Sequence, residues 1–214
     1  LPISEEIDNH FTLEDVPMIL SYEPGVYAYS ESGNGTGYTY VSIRGFDQSE
    51  IAVMLDNVPI NDNESHQVYW ADHGNILHDV KEIQIQRGIG NSIYGAAAFG
   101  GSINVHTKIK SNNPILKANI GAGSFNSSKI SMQYNSGNNW GHNKGINIRI
   151  SQIKSNGYRK YHNSIQNALS IGIEHSTTKS THQFRALVGH INSDLTWDGI
   201  YGDNIYDRKL RRDG

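Results

Sequence analysis

Cysteine is absent from these 214 residues, which excludes disulfides and thiolate metal centres while leaving the compartment open. Charge is sparse: 18% of residues are charged, the net charge is −3 and the isoelectric point lies near 6.4. That balance supplies no basic footprint for nucleic acid. Runs of 18 or more apolar residues are also missing, so no transmembrane helix is expected. The chain opens at Leu1-Pro2-Ile3 with neither an initiator Met nor a visible signal peptide, as expected where a leader has been removed or left off.

The length allows one large domain or two small ones. Hydrophobic residues make up 36% and the mean hydropathy is −0.53. Such values are too polar for membrane helices. They suit a membrane β-barrel, where only alternate residues meet lipid and the others face a wet lumen.

Glycine is plentiful, with 22 residues, but its use changes near residue 110. Before that point, short apolar runs alternate with glycine turns. Thr12 to Leu20 reads as a short helix, with Thr12 as its cap, Asp15 three residues on, and Pro17 in the first turns where its missing N–H does least harm. Tyr40–Arg44, Ile51–Leu55, Glu82–Arg87 and Ser102–Thr107 read as strands, each bounded by Gly, Pro, Asn or Asp. Residues 1–108 thus form a compact α+β unit.

After Asn112-Asn113-Pro114 the pattern becomes strict alternation. Leu116, Ala118, Ile120 and Ala122 form the first set; Ile130, Met132 and Tyr134 the second; Ile146, Ile148 and Ile150 the third. Leu169, Ile171 and Ile173 follow, then Phe184, Ala186 and Val188. Polar turns separate the five stretches. Alternation of this kind fits a soluble antiparallel sheet with one face on a core, and it fits a membrane meander with polar residues toward a lumen. Periodicity leaves both open.

The first half carries an ordered series of short motifs. Glu23-Pro24-Gly25-Val26 leads to the loop Ser32-Gly33-Asn34-Gly35-Thr36-Gly37, then Val41-Ser42-Ile43-Arg44-Gly45 and Val53-Met54-Leu55-Asp56-Asn57-Val58-Pro59. Val80-Lys81-Glu82-Ile83-Gln84-Ile85-Gln86-Arg87-Gly88, Ser92-Ile93-Tyr94-Gly95, Gly100-Gly101-Ser102-Ile103-Asn104-Val105 and Thr107-Lys108 complete it. This series, over roughly residues 23–108, closely resembles the plug domain of TonB-dependent outer-membrane receptors. Its specificity lies in the order of many pieces. Asn57, Gln84 and Ile89 depart from the family's usual Gly, Glu and Pro. Ser155-Asn156-Gly157-Tyr158-Arg159 and Thr196-Trp197-Asp198-Gly199-Ile200 resemble elements of the family's barrel, more weakly.

The resemblance implies a fold: an α+β plug domain over 1–108, followed over 109–214 by antiparallel β-strands of an incomplete transmembrane β-barrel. Plugged transporters use 22 strands of roughly 9–11 residues each, and about a hundred residues after position 110 hold only five. A fragment is therefore expected, with the segment that touches the energy-coupling partner upstream of Leu1. Five strands in an open sheet leave two unpaired edges, so residues 1–214 alone are expected not to behave as a soluble monomer.

The resemblance also implies function. The whole protein would sit in the cell outer membrane, among its lipid, and take up a scarce solute. The TonB energy-coupling complex would power uptake from the periplasm and inner membrane. The solute implied is a small-molecule metal chelate, an iron siderophore; haem, cobalamin and oligosaccharide are the alternatives. A non-transporting surface barrel or adhesin is the competing class. Arg44 and Arg87 each end an apolar strand before a glycine, and an enclosed guanidinium needs a carboxylate. The resemblance makes them locks between plug and barrel wall; the plainer reading is strand-end arginines reaching solvent. Between Asn61 and Asp72, His66, Tyr69 and Trp70 are candidate ligand contacts, or Tyr69 and Trp70 pack against the barrel wall. Tyr29 and Tyr38, flanking the glycine loop, are candidates as well.

Other signals fall away. Gly88-Ile89-Gly90 lacks the third glycine of a dinucleotide loop. His66, His73 and His78 fit no metal spacing. There is no Gly-x-Ser-x-Gly element, and Glu5-Glu6 reads as a solvated face. No catalytic residues, metal site or cofactor are expected.

Overall fold

The computed structural model describes residues 13–73, 76, 80–88, 99–107, 111–139, 143–194 and 200–213. Thr12, Glu5-Glu6, His78, Gly90, Ser92 to Gly95, Lys108 and Thr196 to Gly199 lie outside them. The chain divides into two compact units: Leu1–Ser30 with Tyr38–Lys108, and Glu31–Gly37 with Ile109–Gly214.

In the first unit a one-turn-and-a-half helix, α1 (Val16–Leu20), starts later than the sequence pattern suggests. Asp15 holds the N-cap position with extended backbone, but its carboxylate does not cap the helix. It accepts instead from Thr39 Oγ1 at 3.4 Å. Pro17 stands in the first turn, where the helix needs no donor. Two sheets accompany the helix. One is an antiparallel hairpin of β1 (Val26–Ser30) and β2 (Thr39–Ile43). The other is a four-stranded sheet of β3 (Ile51–Leu55), β4 (Val58–Pro59), β5 (Val80–Arg87) and β6 (Gly101–Thr107), ordered β4-β3-β6-β5. β3 and β6 run parallel and the other pairs antiparallel.

A single apolar core joins them. Val16, Ile19, Leu20, Val41, Ile43, Ile51, Val53, Ile83, Ile103 and Val105 are all buried in it. Each full burial contributes about 1.5–3 kcal/mol. Strands β1 and β4 are additions to the four strands anticipated; β2, β3, β5 and β6 fall where the apolar runs placed them.

The Asp56-Asn57 turn shows how polar residues close this unit. Both take left-handed backbone, with φ of 51° and 68°, which a two-residue hairpin between β3 and β4 requires. The Asp56 carboxylate then accepts from Thr107 N and Thr107 Oγ1, both at 2.7 Å. Asn57 Oδ1 accepts from Asn104 Nδ2 at 2.8 Å. The turn is thereby clasped to β6. Replacing Asp56 with Ala is expected to cost about 2–3 kcal/mol, because it removes two charge-assisted bonds and orphans a backbone donor. Asn57→Gly keeps the turn and should cost about 1 kcal/mol. Faster hydrogen exchange at the Thr107 amide in the Asp56 variant alone would show the difference.

The second unit is a five-stranded antiparallel meander: β7 (Ile115–Gly123), β8 (Ser127–Asn135), β9 (Lys144–Ser155), β10 (Ser164–Ser176) and β11 (Thr181–Ser193), in that spatial order. Among the described residues β7 and β11 are each paired on one side only, so the sheet is open. After Ile200, two short turns of helix follow, Gly202–Tyr206 and α2 (Arg208–Asp213). Asp207 starts α2, its carboxylate accepting from Lys209 N and Leu210 N at 2.7 and 3.2 Å.

Candidate functional site

The meander is inside out by the standard of a soluble sheet. Cross-strand register puts Leu116, Tyr134, Ile148 and Ile171 in one row of the same face, then Ala118, Met132, Ile150, Leu169 and Val188 in the next. This apolar face is exposed: Leu116 71%, Met132 55%, Ile150 62%, Val188 63%. The opposite face is polar and buried, with Lys129, Ser131, Asn147, Arg149, Ser151, Ser155, Ser164, Gln166 and Ser170 all at 6% or less. Water as the solvent of both faces would favour the reverse. A lipid-facing exterior and a polar interior account for it.

That interior face is charged unevenly. Its positions include Lys117, Lys129, Arg149 and Arg185, against Glu174 as the one acid among the described strand residues.

The glycine loop Glu31–Gly37 belongs to this unit. Asn34 organises it: Oδ1 accepts from Ser32 Oγ, from Thr36 N at 3.0 Å and from Thr36 Oγ1 at 3.1 Å. Gly33, Gly35 and Gly37 have φ of 68°, 78° and 84°, so side chains there would be strained. A Cβ at Gly33 would meet Tyr158 at 3.6 Å, and one at Gly37 would meet Gln166 and Ile191 at 3.9 Å. Tyr158 itself packs edge-on against Phe125, ring centroids 5.5 Å apart at 84°. Asn34 Nδ2 is buried and has no hydrogen-bond partner among the described residues. The loop thus encloses an unpartnered amide donor, and its Gly33 lies beside Tyr158. None of Asn34, Phe125 and Tyr158 was singled out as a contact from the sequence; the glycine spacing around Asn34 was the available signal.

In the first unit, Tyr29 stacks on its cross-strand partner Tyr40, centroids 5.0 Å apart at 21°, with Tyr27 at 6.1 Å on the same face. Tyr27 and Tyr29 are exposed and Tyr38 is half-buried. Tyr27 and Tyr40 extend the aromatic patch beyond the residues marked by the sequence.

The segment from Asn61 onward is bound to itself. Asn61 Oδ1 accepts from Val53 N at 2.7 Å, and its Nδ2 donates to Ile51 O and His66 O at 3.0 and 2.8 Å. Asp62 accepts from Ser65 N, Ser65 Oγ and Glu64 N. Those bonds, led by the Ser65 amide, hold its carboxyl below the ordinary carboxylate range. His66, with φ of 58°, and Tyr69 are displayed at the exposed surface. Trp70 is not. It is 2% exposed in the apolar core, its indole donating to Gln48 Oε1 at 3.0 Å while Gln48 Nε2 donates to Val68 O. Burial removes Trp70 from the ligand-contact candidates. Burial also pushes the pKa of His73 down, against a smaller opposing effect of Asp72.

The two arginines part company. Arg44 is exposed in left-handed backbone, φ 55°, its side chain passing Gly25 and Gly88 at 3.8 and 3.7 Å from where their Cβ atoms would be. Arg87 is engaged within its own unit: Nη1 donates to Pro24 O at 2.7 Å and Nη2 lies 3.7 Å from the Glu23 carboxylate. A carboxylate partner was anticipated for Arg87, and Glu23 of the first motif lies within reach of it. Among the described residues no group of three or more His, Asp or Glu side chains could hold a metal ion.

A family model, TonB-dependent Receptor Plug Domain, matches residues 3–102. The chain is 30% identical over 142 residues to the vitamin B12 transporter BtuB of Vibrio vulnificus (strain YJ016), covering 66% of this chain and 22% of that protein. It is 32% identical over 97 residues to lactoferrin-binding protein A of Neisseria meningitidis, covering 41% of this chain and 10% of that one. Among solved structures, the ferric yersiniabactin uptake receptor FyuA from Yersinia pestis superposes with a TM-score of 0.70 at 15% identity, covering 89% of this chain and 31% of that one. The unliganded ferric citrate transporter FecA gives 0.69 at 19%, covering 91% and 31%. The chain therefore spans less than a third of each of these proteins.

Proposed function

Residues 3–102 belong to the plug-domain family of the TonB-dependent receptors, and from that premise we propose that the chain serves the active uptake of an anionic iron chelate. The chain belongs to the TonB-dependent receptors of the cell outer membrane, as a plug followed by antiparallel strands of a part of the barrel. One observation carries the choice of solute: the inward face of the meander holds four cations against one acid. Hydroxamate, catecholate and carboxylate chelates of ferric iron present an anionic or oxygen-rich surface, which cations, amide donors and phenols recognise. Structures similar in fold include a receptor bound to pyoverdine, a ferric yersiniabactin uptake receptor and a ferric citrate transporter, and these support the same class.

Tyr29, Tyr38, His66 and Tyr69 remain the contact residues proposed from the sequence; Phe125 and Tyr158 of the second unit form a separate candidate cluster. Arg44 is kept as the plug–barrel lock, since its guanidinium is the more exposed of the two. The TonB complex would supply the energy from the periplasmic side. Transport of this kind asks nothing of catalysis.

Deleting the complete gene is expected to abolish growth on one class of ferric chelate as sole iron source, with growth restored by free iron. Radiolabelled chelate should fail to accumulate in the deletion strain. Unimpaired growth on every chelate, coupled with a new requirement for cobalamin, would move the solute to the class handled by the vitamin B12 transporter.

A further inference from the structure

The hairpin of β1 and β2 is divided between the two units. Its strands, paired from Val26 with Ile43 to Ser30 with Thr39, belong to the first unit, while the tip that joins them, Glu31–Gly37, belongs to the second. A hairpin tip ordinarily opens with its strands, because nothing else holds it. This one has support of its own. Asn34 Oδ1 accepts from Ser32 Oγ, Thr36 N and Thr36 Oγ1, and Thr36 O lies 3.3 Å from Ser32 Oγ. Ser32 and Thr36 are 6% and 3% exposed, so these contacts are shielded from water. None of the four involves β1 or β2. The tip can keep its shape whether or not its strands stay paired.

The seat of the tip is fixed at two points. A Cβ at Gly33 would lie 3.6 Å from that of Tyr158, and one at Gly37 would lie 3.9 Å from Gln166 of β10 and Ile191 of β11. Glycine at both positions lets the backbone rest directly on those side chains. Gln166 and Ile191 are cross-strand partners. The amide of Gln166 is bonded to no described residue, so its contact with Gly37 is one of shape. Tyr158 is braced in turn: its ring packs on Phe125, and Asn156 N donates to Phe125 O at 3.0 Å. At Gly157 a Cβ would stand 2.6 Å from the His162 carbonyl oxygen, so the connection after β9 is folded tightly on itself. Both points of the seat belong to the meander and its connections.

We propose that Glu31–Gly37 is a fixed anchor, which stays on the sheet when the β1–β2 hairpin and the rest of the first unit open or rearrange. Bending falls at Ser30–Glu31 and Gly37–Tyr38, where the chain passes from one unit to the other. Gly37, with φ of 84°, gives the second of these its backbone freedom. The free energy of opening is then discontinuous along the chain: low for β1 and β2, high for the seven residues between them. A first unit held in this way moves about the tip and returns to one register. The anchor holds for any solute and does not draw on the choice of an iron chelate.

The test uses the complete receptor, purified in mild detergent. Amide hydrogen exchange is followed peptide by peptide at urea concentrations below the unfolding of the barrel. Peptides of the tip are expected to exchange with those of β9, about tenfold or more slower than those of β2. Exchange of the tip at the β2 rate would overturn the proposal. A second arm joins Gly33→Cys to Tyr158→Cys. The 3.6 Å between their Cβ positions suits a disulfide, which spans about 3.5–4.5 Å, and the chain brings no cysteine of its own. Closing that bond should leave the exchange of β1 and β2 as it is in the reduced protein, since it ties down what is already fixed. If the tip opens with its strands, the bond will hold them back and slow their exchange about tenfold or more, and the anchor is then refuted.

Discussion

Gly101→Ala is expected to cost the plug about 3–5 kcal/mol, most of the margin of a marginally stable domain. Gly101 opens β6 at the point where that strand enters between β3 and β5, paired to Ile51 on one side and Arg87 on the other. Its φ is +153°, a region that residues with side chains populate at a cost of about 1–3 kcal/mol. The larger part is steric. A Cβ there would lie 2.4 Å from the Gln86 carbonyl oxygen, a backbone atom that cannot rotate away. Relief requires β5 and β6 to separate at their first pair. Gly45 is the control: its φ is +84° but nothing lies within 4 Å of its Cβ position. Gly45→Ala pays only the conformational cost, about 1–2 kcal/mol. Hydrogen exchange of the β5 and β6 amides in the assembled receptor reads both. Equal effects from the two variants would mean that the β5–β6 contact is not what demands glycine.

Which parts of this were legible beforehand follows from the range of the interactions. Alternation located all five barrel strands, because the pleat forces side chains to opposite faces residue by residue. It under-estimated their ends. β10 begins at Ser164 and β9 continues to Ser155, where serines and an asparagine on the strand leave no apolar rhythm to follow. The helix was placed one turn early because Thr12 and Asp15 both look like caps, and only Asp15 borders the described helix.

The burial of Trp70 has a different cause. Trp70 sits among polar neighbours in sequence and reads as an aromatic on display. What buries it is Gln48, 22 residues away, which ties both the indole and the Val68 carbonyl into the core. Arg87 similarly finds Glu23, at the far end of the motif series. Side-chain pairing between distant segments leaves no local trace. The glycine loop was visible as a motif, but its grouping with the strands that follow residue 109 was not, since the boundary was drawn by chain order.

Ile150→Lys is the substitution that separates a membrane sheet from a soluble one most sharply. Ile150 is 62% exposed, with Met132 and Leu169 as its cross-strand partners on the same face. On a water-facing surface such a change usually falls within about 0.5 kcal/mol of neutral, and it would improve solubility. Facing lipid, a lysine at mid-depth costs about 2–4 kcal/mol. The expected result is a receptor that assembles poorly: heat-modifiable folded barrel in the outer membrane should fall several-fold, with the chain degraded or retained in the periplasm. Ile150→Val, which keeps the face apolar, should assemble as the wild type does. Two strands away, Lys117→Ile alters a polar inward position and should spare assembly while weakening the interior's hold on an anionic solute. If Ile150→Lys assembles normally, the apolar face meets water or protein, and the exposed rows of Leu, Ile, Met and Val on all five strands need another partner.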